Sequence, residues 1–124
     1  MDRWILVMLG GAVGSLARYL LVTYVHNRSA GPFPLGTFIV NITGSFLIGV
    51  VMTLLAERWM GNTNLRLLLV VGVLGGYTTF SSLEFETYAA VETGHRTLAL
   101  AYILGSAVCG YAAVILGALL ASRR

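Results

Sequence analysis

Uncharged hydrogen-bonding side chains recur at helical spacing inside apolar stretches of this sequence. Thr37, Asn41 and Ser45 follow one another at intervals of four residues, and Tyr102 and Ser106 repeat that interval later in the chain. Residues spaced by four share one face of an α-helix. Hydroxyl and amide donors on such a face can replace part of an anion's hydration shell without trapping the ion. Asn41 is the most informative of them, because a membrane Ser or Thr more often bonds a carbonyl of its own helix.

A second group of polar residues interrupts an apolar stretch at Gly75-Gly76-Tyr77-Thr78-Thr79-Phe80-Ser81-Ser82. The flanking segments 65–74 and 83–91 are each too short to cross a bilayer, which takes about 20 residues. We therefore predict one membrane span that is broken near residues 75–79. Broken helices expose backbone carbonyls and N–H groups that bind ions. A glycine-rich kink that only permits close packing is the alternative.

The ionisable residues within the apolar stretches are few. Arg18 lies about two turns before the end of the first stretch, where it would either anchor the helix at the interface or attract anions to a positive mouth. Glu86, in the second half of the broken span, is expected to orient a donor or to pair with an arginine. No nucleophile–base pair, phosphate loop or metal-ligand cluster is visible, so we predict no enzyme.

The composition places the chain in the membrane. Of its 124 residues, 57% are hydrophobic and only 10% are charged, whereas soluble domains carry about 25% charge. We predict a single all-α transmembrane domain, residues 1–124, with four spans at about 4–25, 35–56, 65–91 and 97–121 and a broken third span.

The arginines and the small residues bear on orientation and assembly. Five arginines lie on the side of the termini and two or three on the other, depending on whether Arg18 is counted. This is a weak bias toward cytoplasmic termini, and insertion in both orientations stays open. A stripe of small residues in the fourth span is expected to pack helices within and between subunits. Its members are Ala101, Gly105, Cys109, Ala113, Gly117 and Ala121.

Three motifs in order resemble the signatures of the Fluc (CrcB) fluoride channel family. They are Gly10-Gly11-Ala12-Val13-Gly14 with Arg18-Tyr19, Gly36-Thr37-Phe38-Ile39-Val40-Asn41 with Gly44 and Gly49, and Gly72-Val73-Leu74-Gly75-Gly76-Tyr77-Thr78-Thr79-Phe80-Ser81. The similarity covers the whole chain, including its length and its broken third span.

The resemblance implies a channel in the plasma (inner) membrane that exports fluoride down its electrochemical gradient. It implies an antiparallel, dual-topology homodimer with two fluoride pores and a central sodium ion, bound by the backbone carbonyls of Gly75 and Thr78. Arg18 would lie toward the aqueous vestibule. The pore residues implied by the resemblance are Asn41, Phe80, Thr37, Ser82, Tyr102 and Ser106.

This chain departs from the family pattern at Leu83, three residues after Phe80. The edge of a phenyl ring carries partial positive charge, so Phe80 can offer an anion a polarised C–H edge. The family commonly has a second phenylalanine three residues later, where this chain has Leu83. Phe85 cannot replace it, because five residues turn the ring about 140° around a helix. Three alternatives follow: the pore works with one aromatic edge from this pair, its throughput is lower, or the chain is an altered or specialised member of the family.

Two other functions are compatible with a small four-helix membrane protein. Small multidrug transporters have this size but use a glutamate in the first span, and the only acidic residue near that span here is Asp2. A non-transporting assembly subunit would explain the small-residue stripe and leave Asn41 and the broken span without a role.

Overall fold

The computed structural model describes residues 2–122, and within that range the regular structure is entirely helical. Four helical segments are long and apolar enough to cross a membrane. They are α1 (Arg3–His26), α2 (Leu35–Glu57), a composite third span (Thr63–Glu92) and α6 (Arg96–Ala121). These bounds lie close to the predicted ones. Arg123 and Arg124, two of the arginines assigned to the side of the termini, lie outside the described residues.

The third span consists of four pieces. A single α-turn, α3 (Thr63–Leu65), leads into a π-helix, π1 (Arg66–Leu74), and a second α-turn, α4 (Gly75–Tyr77); α5 (Phe80–Glu92) follows the interruption. The predicted break is confirmed, but the glycines do not form it, because Gly75 and Gly76 are helical. The interruption is the extended backbone of Thr78 (φ −82°, ψ 156°) and Thr79 (φ −148°, ψ 115°).

Glycines bring α1 into backbone contact with the first half of the third span. A Cβ at Gly14 would collide with the Val73 carbonyl oxygen, and one at Gly76 would lie 2.6 Å from the Gly11 carbonyl oxygen. Gly10 and Gly72 approach each other in the same way. Because glycine carries no side chain, two helix backbones can approach this closely. Gly72 and Gly76 of the third motif therefore serve packing, whereas the threonines after them break the helix.

The second close contact joins α2 to α6. A Cβ at Gly49 would collide with the Val114 carbonyl oxygen, and one at Gly117 with the Phe46 carbonyl oxygen. Of the small-residue stripe on α6, Gly117 thus packs within the subunit, whereas Ala101 and Cys109 are exposed. The stripe is an internal packing face only toward the C-terminal end of α6.

Large apolar side chains cover much of the outer surface. Leu16, Tyr19, Val108 and Leu120 are all more than half exposed. Soluble monomers rarely expose such extensive apolar surface. With four membrane-length helices, this surface identifies a multi-pass membrane protein.

Candidate ion pathway

Asn41 holds the break in the third span through a pair of hydrogen bonds. Its Nδ2 group donates to the Thr79 carbonyl oxygen over 3.0 Å, and the Thr79 N–H donates to Asn41 Oδ1 over 2.8 Å. The amide oxygen therefore replaces the acceptor that the Thr79 N–H would have inside a helix, and the amide nitrogen adds a donor to the Thr79 carbonyl. One N–H of the amide remains for another acceptor.

Thr79 also begins the second half-helix. The Ser82 N–H donates to Thr79 Oγ1 over 3.2 Å, which is an N-cap contact, and the Thr79 hydroxyl donates to Ser82 Oγ over 3.0 Å. A side-chain cap satisfies a backbone donor that has no intrahelical acceptor. Ser82, a predicted pathway residue, thus takes part in the capping of α5.

Gly75, the first residue of the turn α4, and Thr78, which follows that turn, are the predicted sodium ligands. The Thr78 hydroxyl donates to the Leu74 carbonyl oxygen over 2.9 Å, and the Thr78 carbonyl accepts from Arg18 Nη1 over 3.2 Å. Arg18 therefore contacts the break itself, a contact that the sequence alone did not predict in placing Arg18 toward a vestibule. The Thr79 N–H, which would reach the Gly75 carbonyl in a continuous α-helix, bonds Asn41 instead.

A cavity of about 610 Å³ opens beside the break. Six of the predicted site residues line it: Asn41, Gly75, Thr78, Phe80, Leu83 and Ser106. The side chain of Phe80 is 73% exposed, whereas that of Leu83 is only 8% exposed. The Ser106 hydroxyl is buried and finds no hydrogen-bond partner among the residues that the structure describes. Buried hydroxyls are nearly always paired, so the Ser106 hydroxyl is available to a group that enters the cavity.

Glu86 joins two more of the predicted residues. Thr37 Oγ1 donates to Glu86 Oε1 over 2.8 Å, and the hydroxyl of Tyr102 donates to Glu86 Oε2 over 2.7 Å. Tyr102 is fully buried, and the ring of Phe33 packs edge-on against it at a centroid distance of 5.3 Å. Each oxygen of the carboxylate therefore accepts a hydrogen bond from one hydroxyl; the orienting role of Glu86 stays a prediction.

Thr37 and Glu86 also line a second, smaller cavity of about 230 Å³. Its walls come from the end of α1, the connection 29–34 and the start of α2. Tyr102 is bonded to Glu86 at this cavity, and Ser106, one helical turn further along α6, lines the larger cavity. The polar residues of α2, α5 and α6 thus form a column between two cavities.

Several residues of this arrangement carried little signal in the sequence. In the sequence, Thr79 is one of several hydroxyl residues near the break, and its two hydrogen bonds with Asn41 are visible only in the structure. His26 is the last residue of α1 and lines the smaller cavity, a position that its sequence context does not indicate. The π-helical winding of π1 has no recognisable sequence pattern. The four-residue spacing on α2 was a usable signal for Ser45, which lines the larger cavity.

Comparison with known sequences identifies the family. The sequence model of the family described as CrcB-like protein, Camphor Resistance (CrcB), matches residues 5–118. The chain belongs to the CrcB-like family. Membership confirms the resemblance stated from the three motifs, and it displaces the small multidrug transporter as an interpretation.

Curated members of the CrcB-like family match along nearly the full chain. A protein of Solibacter usitatus (strain Ellin6076) is 57% identical over 121 residues, covering 98% of this chain and 99% of its own. A protein of Thermus thermophilus is 47% identical, covering 94% of this chain and 93% of its own. One of Roseiflexus sp. (strain RS-1) is 46% identical, covering 92% of each chain. All three are named fluoride-specific ion channel FluC, so the family places the chain among channels and not among enzymes.

Proposed function

We propose that this chain forms a fluoride-selective channel in the plasma membrane, which lets fluoride leave the cell down its electrochemical gradient and so lowers cytoplasmic fluoride. The observation that carries the proposal is the unpaired, buried hydroxyl of Ser106 on the wall of the larger cavity. Leaving such a group without a partner costs about 1–3 kcal/mol. A small anion in this cavity would accept its hydrogen bond. The names of the family members supply the identity of that anion.

The other groups on this wall suit passage better than tight binding. Asn41 has one uncommitted N–H, and Phe80 presents a ring whose edge is partially positive. Neither group carries a full charge, so an anion would be attracted weakly enough to leave again. A compact anion such as fluoride would reach these donors together more easily than chloride.

Thr37 and Tyr102 would act differently, because their hydroxyl protons point at Glu86. To serve an anion, each O–H must rotate away from the carboxylate. We assign them to the end of the pathway beyond Ser106, with Glu86 as the residue that orients them when no ion is near.

We further propose that two copies assemble as an antiparallel homodimer inserted in both orientations. On one subunit Phe80 is 73% exposed, and Ala101 and Cys109 of the small-residue stripe also face outward. A second copy would cover the open side of the larger cavity and complete its walls. Because the arginine bias between the two ends of the bundle is weak, insertion in either direction is compatible with the sequence.

A sodium ion at the centre of this dimer would be held by the carbonyls of Gly75 and Thr78. The residues present fit a monovalent cation, because Gly75 is exposed on the subunit and the break removes the usual α-helical donor of its carbonyl. The Thr78 carbonyl has a second lone pair beside the one facing Arg18. The ion would supply positive charge that joins carbonyls of both subunits.

Fluoride efflux from liposomes tests the channel, with chloride efflux and protein-free liposomes as controls. Phe80→Ile and Phe85→Ile form a matched pair, since both rings lie on α5 and are exposed but only Phe80 lines the cavity. We expect rapid fluoride efflux without chloride efflux from the natural protein and from Phe85→Ile, and strongly reduced efflux from Phe80→Ile. Protein that folds, yet passes no fluoride, would favour the non-transporting assembly subunit.

A further inference from the structure

The smaller cavity has a charge arrangement that the proposed function does not explain. Its residues come from the end of α1, the connection 29–34, the start of α2 and one turn of α5. Among the described residues that line it, His26 and Glu86 are the ones with titratable side chains. Glu86 belongs to the donor column, whereas the exposed His26 belongs to the end of the bundle. The smaller cavity therefore lies between His26, at the end of the bundle, and Glu86, which accepts hydrogen bonds from Thr37 and Tyr102.

The carboxylate of Glu86, on the wall of the smaller cavity, would repel an anion. Thr37 and Tyr102 each donate one hydrogen bond to the carboxylate of Glu86. An anion that moves between the column and the aqueous phase by this route must pass a like charge, unless positive charge faces the same space. His26 is the lining residue able to supply it, because imidazole side chains change charge between about pH 5 and 8.

We propose that this cavity is the aqueous mouth of the pathway, a transient subsite for a small anion, and that protonation of His26 opens it electrostatically. The inference rests on the proposed fluoride channel. A positive charge at a narrow mouth raises the local concentration of anions and their rate of entry. Fluoride flux should therefore increase as the pH falls through the histidine range, by roughly two- to fivefold for a single charge at a partly solvated site.

The neighbouring charged residues do not line this cavity. The guanidinium of Arg28 lies 3.8 Å from the centre of the Tyr24 ring, which holds it on α1. His95 precedes α6, and its Nδ1 lies 3.2 Å from Thr93 Oγ1. Glu92 and Arg96 are exposed at the ends of α5 and α6. The chain thus offers a matched control, since His95 is its other histidine and is absent from the cavity wall.

The test measures fluoride efflux from liposomes with equal pH inside and outside, at steps from about pH 5.5 to 8, the range in which histidine titrates. Leakage of hydrogen fluoride through protein-free liposomes is subtracted at each pH. We compare the natural protein, His26→Gln and His95→Gln. The natural protein and His95→Gln should gain flux on acidification, whereas His26→Gln should give a flat profile near the high-pH rate. Adding an impermeant salt should reduce the gain, because it screens exposed charges.

The outcomes separate this inference from the channel itself. If no variant passes fluoride at any pH, the proposed function fails. If fluoride passes but the profile of the natural protein is flat, or the pH step persists in His26→Gln, the mouth assignment is overturned. A step that disappears in His95→Gln and persists in His26→Gln would also overturn it.

Discussion

The two sides of the subunit differ in what lies between their helices. Where α1 meets π1 and α4, backbone lies on backbone along the contact, and glycines at Gly10, Gly14, Gly72 and Gly76 exclude side chains from it. Between α2 and α6 such glycine contacts are confined to Gly49 and Gly117, and polar side chains of α2, α5 and α6 line the two cavities. The first side is a packed support, and the second is the candidate pathway.

The break in the third span is where the two sides meet. Thr78 receives a hydrogen bond from Arg18 on the support side, and Thr79 is held by Asn41 on the pathway side. The contrast indicates that Thr78 and Thr79 need partners on both sides, because the Thr78 carbonyl and the Thr79 N–H have lost their helical ones. Changes on the support side should mainly alter stability, and changes on the pathway side should mainly alter flux, although Asn41 contributes to both because it also holds Thr79.

The largest effect is expected for Asn41→Asp on the pathway side. It places a carboxylate beside the path of an anion, and like charges about 4 Å apart repel by about 4 kcal/mol at an effective dielectric constant of about 20. Fluoride efflux should fall at least about a hundredfold. Asn64→Asp, which adds the same charge at an exposed site in α3, is the control. Near-normal efflux from Asn41→Asp would remove Asn41 from the pathway.

Gly14→Ala tests the support side. Its Cβ would collide with the Val73 carbonyl oxygen, and overpacking of this kind costs about 1–3 kcal/mol. We expect a thermal midpoint several degrees lower in detergent. Gly11→Ala is the matched control on the same helix, because nothing lies within 4 Å of a Cβ there. Equal midpoints for the two variants would show that the glycine contact is not close enough to demand glycine.

Exchange of sodium for a bulky organic cation tests the site between the two sides. If the carbonyls of Gly75 and Thr78 hold sodium in the dimer, a cation too large for them should lower the thermal midpoint by a few degrees, since ligands that bind only the folded state stabilise it. Both buffers need equal ionic strength, so that screening is matched. A midpoint that does not respond to sodium would argue against the ion.

The smallest effect is expected at Leu83. Leu83→Phe should pass fluoride about twofold faster, because the added ring edge is a further weak attraction beside Phe80. Leu83→Ile keeps the bulk without a ring and should match the natural protein. Since Leu83 is mostly buried yet lines the larger cavity, the new ring can extend into open space. Unchanged or slower flux in Leu83→Phe would mean that position 83 serves packing in this protein.

The sequence was sufficient for features that depend on local pattern. Apolar length predicted the four spans, and the run of small and hydroxyl residues located the break. It could not show that the extended residues would be Thr78 and Thr79, because that depends on Asn41, a residue 38 positions away that bonds Thr79. It equally could not show the Arg18 contact with Thr78 or the position of His26 on a cavity wall. These contacts arise when the helices pack together, and the spacing of residues within one span does not determine them.

The exposure of Phe80 has a consequence for gene dosage. On a single subunit the ring is 73% exposed, so in the proposed dimer it meets the rest of its pathway only when a second copy arrives. While subunits are sparse in the membrane, the number of completed pathways then grows with the square of subunit density, by the law of mass action. A twofold rise in expression would give about a fourfold rise in flux, until pairing saturates and the dependence becomes linear.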